Sequence, residues 1–333
     1  MNKSIKVLLS RFFYQTDLDF ISKNVPEVIF LNTDKFDNDH LISVCANGVD
    51  VILGPPPEEE VLNKIHEQLS FIQIPWTGVE NICFDDCSKY SVMVANSHGN
   101  ATAVAEMALS LLLSTLKSIP YHDKELRKGN WHRPGDEKGF FPPRMLNGLT
   151  IGYFGYGQIN QSLDKFLSGF NLNRIAYVSK PKNDEVSGIR FLSGEQFDEF
   201  INETDIVIIG APLTENTVNK FDIDVFAKMK NSSILINVSR GKIVNEKALY
   251  SALNQKLISG AGLDTWYKYP SRGQSETHPS DCDFSQLDNV VMSPHRSGFV
   301  ADDFPHLHDV ISNFKNYLKD GELLNVINLK QGY

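Results

Sequence analysis

The chain has 333 residues, a formal net charge of −9 and 22% charged residues, which is the composition of an ordinary globular protein long enough for two domains. The negative charge argues against nucleic acid as a main partner, because phosphate binding needs concentrated positive charge. No apolar run approaches the roughly 20 residues of a transmembrane helix, so we expect no membrane span.

The N-terminal part alternates short apolar runs with helical patterns, which predicts a small parallel α/β domain. Its first predicted strand begins so early that we expect no signal peptide. The predicted strands cover residues 6–9, 28–30, 51–53, 71–74 and 92–95. Loops that follow such strands gather at one edge of the sheet, where α/β proteins bind ligands. One of them contains Gly78, which would let nearby backbone N–H groups face an anion, although a simple turn is the alternative.

A long apolar pattern over residues 101–117 predicts a buried helix. Residues 122–144 are polar and aromatic and include Trp131, which indicates an excursion over the surface. Exposed aromatic side chains there favour a subunit contact, and packing on their own domain is the alternative.

Residues 149–182 give the order strand, glycine turn, helix and strand that a dinucleotide-binding fingerprint requires. Gly155 permits the sharp turn, and Gly157 lets the backbone approach a pyrophosphate at the helix N-terminus. Asn160 stands where the third glycine belongs, and its side chain would push helix and strand slightly apart. The alternative is an ordinary turn between two elements of a sheet.

The end of the second strand in this unit bears on the choice of cofactor. NAD sites usually carry Asp or Glu here to bind the ribose 2′-hydroxyl. This chain has Ser179, Lys180 and Lys182, and no carboxylate before Asp184. A hydroxyl and two cations suit a 2′-phosphate, so the sequence favours NADP. The alternative is an NAD site that lacks its usual carboxylate beside a solvated basic loop.

The remaining elements continue the alternation of strand and helix. Strands are predicted over residues 206–210, 233–238, 260–263 and 290–292, and helices over residues 224–230, 246–254 and 302–318. The four cysteines, Cys45, Cys83, Cys87 and Cys282, form no CxxC pair, which is typical of reduced thiols in a cytoplasmic protein and does not favour a metal site.

Three motifs, GYGQI from Gly155, INVSRGKIVN from Ile236 and SPHRSG from Ser293, occur in this order. With them the chain resembles, over nearly its whole length, the D-isomer-specific 2-hydroxyacid dehydrogenases, the family of glyoxylate/hydroxypyruvate reductase, phosphoglycerate dehydrogenase and D-lactate dehydrogenase. The resemblance implies an α/β fold of two doubly wound parallel-sheet domains. Residues 1–100 plus 302–333 would form a flavodoxin-like substrate domain, and residues 101–301 a Rossmann cofactor domain. It also implies a homodimer.

The resemblance further implies hydride transfer between a nicotinamide cofactor, NADP or NAD, and a small 2-keto or 2-hydroxy acid of the D-isomer, in the reductive direction. Arg240 would bind the substrate carboxylate, and His295 would act as acid and base, since a histidine of ordinary pKa, about 6.5, exchanges protons near neutrality. The predicted substrate-binding residues are Trp76, Thr77, Gly78 and Val79. The predicted cofactor contacts are Gly155, Gly157, Gln158, Ile159, Ser179, Lys180, Lys182, Ala211, Pro212, Thr217, Val238, Ser239, Asp264 and Ser297, and no metal is expected.

One residue departs from the family pattern. The family places a Glu, which hydrogen-bonds the catalytic His, five positions after the aspartate that ends the preceding strand. Here that aspartate is Asp264 and the fifth position is Tyr269, so Tyr269, or Glu276 from the same loop, is the hypothetical partner of His295. The departure keeps two alternatives open: a cofactor-binding sensor similar to the C-terminal binding protein corepressors, and a formate- or phosphite-type dehydrogenase. Retention of Arg240 and His295 favours an enzyme.

Overall fold

The computed structural model of the chain describes residues 4–31, 35–80, 82–131, 143–179, 188–271, 273–301 and 303–329. The chain divides into two compact units, Met1–Asn100 with Phe299–Tyr333, and Ala101–Gly298. The second division falls three residues before the boundary predicted between residues 301 and 302.

Both units consist of parallel strands and covering helices. The strands are β1 (Ile5–Leu9), β2 (Val28–Leu31), β3 (Val51–Leu53), β4 (Phe71–Gln73), β5 (Met93–Ala95), β6 (Thr150–Phe154), β7 (Asn173–Tyr177), β8 (Ile189–Leu192), β9 (Ile206–Ile209), β10 (Ile234–Asn237), β11 (Gly260–Leu263) and β12 (Val290–Met292). The α-helices are α1 (Gln15–Asn24), α2 (Asn38–Val44), α3 (Glu59–Ile65), α4 (Asp85–Lys89), α5 (Ala101–Leu116), α6 (Ile119–Leu126), α7 (Gln158–Phe166), α8 (Phe197–Glu203), α9 (Ile223–Lys228), α10 (Glu246–Asn254) and α11 (Pro305–Leu318).

The first unit is a five-stranded parallel sheet with the order β2-β1-β3-β4-β5. This is the flavodoxin-like doubly wound order, in which helices cover both faces. The central strands are therefore apolar on both sides, and β3 and β4 are buried at every position. Helix α11, from the C-terminal part of the chain, packs Leu307, Val310 and Phe314 into this core.

The second unit is a seven-stranded parallel sheet with the order β12-β11-β10-β9-β6-β7-β8. Counted from β6, the order 3-2-1-4-5-6 is the Rossmann arrangement, extended here by β12. Strand β11 carries two glycines where helix α5 crosses it. A β-carbon on Gly262 would come within 2.9 Å of the Leu111 β-carbon, so these glycines let the helix pack closely on the sheet. The predicted fold class is confirmed.

The structure contains elements that the sequence analysis did not predict. Strand β8 and helix α8 lie between the strand that ends the predicted unit 149–182 and the predicted strand 206–210. Helix α6 overlaps the first residues of the stretch that was predicted as a surface excursion. Residues 132–142 of that stretch lie outside the described residues. Trp131, the last described residue before that gap, is 80% exposed.

Among the described residues no single helix is long and apolar enough to cross a membrane, and α5 with α6 reach that length and composition only as a pair bent by 61°. The four cysteines are free thiols. Burial raises the pKa of Cys45 and of Cys87 to about 11, so both thiols stay protonated at neutral pH and are poor nucleophiles.

Candidate functional site

The predicted cofactor and catalytic residues of the second unit lie at one edge of its sheet, past the carboxyl ends of the strands. Since all seven strands are parallel, the loops that follow them meet there. Residues of this edge are Gly155 after β6, Ser179 after β7, Ala211 after β9, Ser239 and Arg240 after β10, Asp264 after β11, and His295 and Ser297 after β12.

The glycine turn after β6 has the geometry that a bound pyrophosphate requires. Gly155 has φ +81°, and a β-carbon there would lie 2.8 Å from the Cα of Ala211, so only glycine fits. A β-carbon on Gly157 would meet nothing within 4 Å, so the backbone is open to a ligand. Helix α7 begins at Gln158, and its first N–H groups have no intrahelical partner, as at other anion-binding helix ends. The turn and helix therefore fit a dinucleotide, with Gln158 exposed and Ile159 half-buried beside it.

Asn160 is accommodated without a third glycine because Gly210, after β9, leaves the space. Asn160 is fully buried, and its Nδ2 donates a hydrogen bond to the carbonyl oxygen of Gly155 at 2.6 Å. A β-carbon on Gly210 would lie 2.6 Å from that Nδ2. The missing fingerprint glycine is thus replaced by a glycine on the facing strand end, together with a hydrogen bond that ties helix α7 to the turn.

The residues predicted to select the cofactor are only partly described. Ser179 is exposed two residues past the end of β7, whereas Lys180 and Lys182 lie outside the described residues. In the loop after β9, the Thr217 hydroxyl donates to the carbonyl of Pro212 at 2.7 Å and accepts from the N–H of Thr214 at 2.7 Å. Thr217 therefore shapes this loop.

Arg240 is carried on a turn that a buried asparagine closes. Asn237, the last residue of β10, accepts a hydrogen bond from the Ser239 N–H at 3.1 Å and donates one to the Arg240 carbonyl at 2.9 Å. The Ser239 hydroxyl donates to the carbonyl of Ala211 at 2.5 Å. Val238, which lies between Asn237 and Ser239 in sequence, is buried. No role was predicted for Asn237, although it stands in the same motif as Arg240.

Asp264 organises the loop that carries His295. Its carboxylate is fully buried and accepts from the Ser293 hydroxyl at 2.5 Å, the Arg296 N–H at 2.9 Å and the Ser297 N–H at 3.1 Å. These donors come before and after His295 in sequence, so the buried carboxylate fixes the loop that carries His295. Asp264 was predicted as a cofactor contact, and the structure places its side chain against the His295 loop.

Trp266 connects the loops after β10, β11 and β12. Its indole N–H donates to the carbonyl of Ser293 at 2.8 Å, and its side chain is 5% exposed. A β-carbon on Gly241 would lie 2.4 Å from the Trp266 carbonyl oxygen, so the glycine after Arg240 allows the two loops to touch. The loops of Arg240 and His295 are therefore both packed against Trp266.

The ring of Tyr269, one of the two candidate partners of His295, lies beside the imidazole. The ring centroids are 5.4 Å apart with planes tilted by 50°, and His295 has φ +56°. The Tyr269 hydroxyl accepts a hydrogen bond from the N–H of Trp266 at 2.9 Å. Glu276 is exposed in the same loop. The ring of Tyr269 is therefore placed to affect His295.

This contact predicts different effects for two substitutions of Tyr269. Aromatic rings attract cations, so the Tyr269 ring beside the imidazole would favour its protonated form. If His295 is the acid that the resemblance implies, its protonated form is the active one, so loss of that support moves the fall of activity to lower pH. We expect Tyr269→Leu to shift the pH profile of kcat/KM in this direction and Tyr269→Phe, which keeps the ring, to leave it in place. A Tyr269→Leu profile that matches the wild type would exclude a role of the ring on His295.

The predicted substrate loop of the first unit is held by hydrogen bonds between Thr77 and residues 96 and 97, and it offers backbone N–H groups to a ligand. The Thr77 hydroxyl donates to the carbonyl of Ser97 at 2.8 Å, and Asn96 Nδ2 donates to the carbonyl of Thr77 at 2.7 Å. Within the described part of the chain, no hydrogen bond uses the backbone N–H of Thr77, Gly78 or Val79. Consecutive unpaired amides are a site for an anion such as a carboxylate.

Comparison with known proteins was made by sequence and by structure. The family model described as D-isomer specific 2-hydroxyacid dehydrogenase, NAD binding domain, matches residues 109–297. The glyoxylate reductase of Pyrococcus horikoshii is 31% identical over 278 residues, which cover 82% of this chain and 77% of that protein. The glyoxylate reductase of Pyrococcus furiosus is 34% identical over 221 residues, 66% of this chain and 63% of that protein.

Solved structures share the fold over the whole chain. An NADPH-dependent glyoxylate/hydroxypyruvate reductase from Sinorhizobium meliloti superposes with a TM-score of 0.74 at 23% identity, and the match covers 99% of this chain and 98% of that one.

Proposed function

The chain belongs to the D-isomer-specific 2-hydroxyacid dehydrogenase family, and from this premise we propose that it reduces small 2-keto acids of the glyoxylate and hydroxypyruvate type to the corresponding 2-hydroxy acids, in the D-configuration where the product is chiral. As a member of the family it is an enzyme that transfers a hydride between a nicotinamide cofactor and a 2-keto or 2-hydroxy acid. The reductive direction, the substrate and the roles of single residues are the proposal.

The observation that carries the proposal is the way in which the two required side chains are held. Asn237 closes the turn of Arg240, and Asp264 binds the loop of His295 before and after residue 295 in sequence. Preorganised charged groups of this kind lower a reaction barrier because they need no rearrangement in the transition state. A sensor that only binds the cofactor would have no need of them.

The roles follow from the chemistry of the side chains. The cofactor, when bound, supplies the hydride. Arg240 binds the substrate carboxylate, for which a planar guanidinium that stays charged is suited. His295 donates the proton that the developing alkoxide needs, and Tyr269 supports the protonated ring. The backbone amides of Thr77–Val79 in the first unit, which make no hydrogen bond among the described residues, stay predicted as carboxylate-binding groups.

We also propose that NADPH is preferred over NADH. The support is the sequence at the end of β7, where Ser179, Lys180 and Lys182 stand in place of the usual carboxylate. A homodimer and a cytoplasmic location belong to the same proposal. The free thiols support a reducing compartment, and the exposed Trp131 supports a contact surface near the end of α6.

The test is steady-state oxidation of NADPH and of NADH with glyoxylate and with hydroxypyruvate. We expect turnover with both keto acids and a higher kcat/KM with NADPH. A higher kcat/KM with NADH would refute the NADPH preference alone. Tight cofactor binding without turnover on any 2-keto acid would refute the reductase and favour the sensor, and turnover only with formate or phosphite would favour the third alternative.

A further inference from the structure

A carboxylate on helix α7 is bonded to the glycine turn of the second unit. Tyr156 stands between Gly155 and Gly157 in that turn, and its hydroxyl donates to Asp164 Oδ2 at 3.3 Å. The hydroxyl of Tyr153, on β6, donates to Asp164 Oδ1 at 2.8 Å. One carboxylate therefore holds both the turn and the strand before it to the same helix.

The carboxylate of Asp164 is withdrawn from solvent and is compensated. Its side chain is 12% exposed, and Nε of Arg174 on β7 lies 3.2 Å from its Oδ1. Burial, and next the charge of Asp164, raises the pKa of Tyr153 and of Tyr156, so both phenols stay protonated and act as donors. A cation and two donors thus surround this carboxylate, and each of them offsets part of the cost of withdrawing it from water.

Two further side chains of α7 bind the same turn. Asn160 Nδ2 donates to the carbonyl of Gly155 at 2.6 Å, and Gln161 Nε2 donates to the carbonyl of Tyr156 at 3.0 Å. Positions 160, 161 and 164 lie on one side of the helix, because residues three and four apart are neighbours there. Helix α7 therefore holds residues 155 and 156 through three of its side chains.

A glycine turn that must receive a ligand benefits from such bonds. Glycine has the widest backbone freedom of any residue, so a turn with two glycines has many accessible conformations unless it is held. Ordering the turn when the ligand binds would reduce affinity, whereas a turn held in advance avoids this cost. Tyr156 is the one residue between the two glycines, so its side chain is where a tether can act on both.

The hydroxyl of Tyr156 can be separated from the packing of its ring. The ring is 6% exposed and lies 5.5 Å from the ring of Tyr153 and 5.5 Å from that of Phe191, centroid to centroid. Phenylalanine at position 156 would fill the same space and keep these ring contacts. The bond to Asp164 is what that substitution removes.

We propose that Tyr156 is a positioning residue for the cofactor: its hydroxyl, held by Asp164, keeps the glycine turn in the conformation that receives the pyrophosphate. The inference rests on the placement of the cofactor at this turn, and it is independent of the keto acid that the enzyme reduces. It applies equally to NADPH and NADH, because both contain the pyrophosphate.

The experiment compares Tyr156→Phe with Tyr153→Phe as a matched control. Both variants remove one hydroxyl from the same carboxylate, but only residue 156 belongs to the turn. Dissociation constants of NADPH and NADH are measured by fluorescence titration of the full chain, and stability by urea unfolding. We expect Tyr156→Phe to weaken both cofactors by about threefold to tenfold, the fold-change that corresponds to one ordinary hydrogen bond. Tyr153→Phe should lose at least as much stability and bind both cofactors as the wild type does.

A second variant acts on the turn from the helix surface. Gln161→Ala removes the bond to the Tyr156 carbonyl, and alanine favours a helix, so this variant should fold. We expect it to weaken both cofactors as well. In steady-state assays of Tyr156→Phe and Gln161→Ala, the KM of the cofactor should rise, while kcat at saturating cofactor and the KM of glyoxylate stay unchanged. A purely structural defect would not be confined to the KM of the cofactor.

The outcomes separate this inference from the proposed reductase. If Tyr156→Phe binds NADPH and NADH as the wild type does, or if Tyr153→Phe weakens them by the same factor, the positioning role of Tyr156 is wrong and the reductase stands. If the wild type binds a cofactor but reduces no 2-keto acid, the reductase proposal fails, and the binding comparison decides the role of Tyr156 by the same criteria.

Discussion

Replacement of Arg240 by glutamine is expected to lower kcat/KM for 2-keto acid reduction by about 10²–10³-fold, the cost of removing one preorganised charged donor from an active site. The side chain stays polar and similar in length, but the charge that binds the carboxylate and polarises the carbonyl is lost. The kcat/KM of Arg240→Lys should fall between that of the wild type and that of Arg240→Gln, because an ammonium group keeps the charge and lacks the bidentate fork. The measurement is steady-state reduction of glyoxylate, with cofactor affinity followed separately.

Two controls make the Arg240 result specific. Arg190→Gln removes a guanidinium from the same unit at an exposed strand, where its partners are carboxylates of α8, and should leave kcat/KM within about twofold, since exposed ion pairs contribute little. The affinity of Arg240→Gln for the cofactor should remain that of the wild type. An Arg240→Gln enzyme with normal kcat/KM would remove this residue from the substrate site.

Replacement of Asp264 by asparagine is expected to reduce kcat strongly and to destabilise the second unit. The carboxylate accepts three hydrogen bonds, and an amide Nδ2 would face an N–H or O–H donor at one of its two oxygen positions. Loss of one partner in a buried charged network costs about 2–5 kcal/mol. Because the donors flank His295, a shift of this loop by about 1 Å would lower kcat by about 10²-fold.

The Asp264 variant needs measurements that separate catalysis from stability. Urea unfolding gives the change in free energy, and the pH profile of kcat shows whether His295 still titrates in the reaction. Asp222→Asn is the matched control: Asp222 caps α9 by accepting from the Val225 N–H at 3.0 Å, and asparagine caps helices equally well. If Asp264→Asn is destabilised but keeps the kcat of the wild type, Asp264 has a structural role alone.

The sheets were predictable because the strands of a doubly wound fold are apolar on both faces. The run from Ile206 to Ile209 is buried at all positions and could be recognised from sequence alone. Strand β8 escaped prediction because it lies at the sheet edge, where only Leu192 of its residues is buried. Helix α6 escaped because none of its residues is buried, so it has no strong apolar face.

The candidate site was predictable where a residue type itself determines the chemistry. Arg240 and His295 stand in local motifs with recognisable neighbours. Asn237 and Gly210 were not predicted, because each acts on a partner that only the folded chain brings near. The hydrogen bonds of Asp264 to residues 293–297 cross from one strand end to the next, and the spacing of some thirty residues between them carries no local signal.

The pairing of Asn160 with Gly210 has an evolutionary consequence. A β-carbon at position 210 would lie 2.6 Å from Asn160 Nδ2, whereas a glycine at position 160 would leave buried space but no collision. A lineage with a side chain at position 210 would therefore have to gain the glycine there before the asparagine at position 160, and would have to lose Asn160 before a side chain could return at position 210. The two sites are expected to change in a fixed order along any lineage and to covary among relatives that keep this turn.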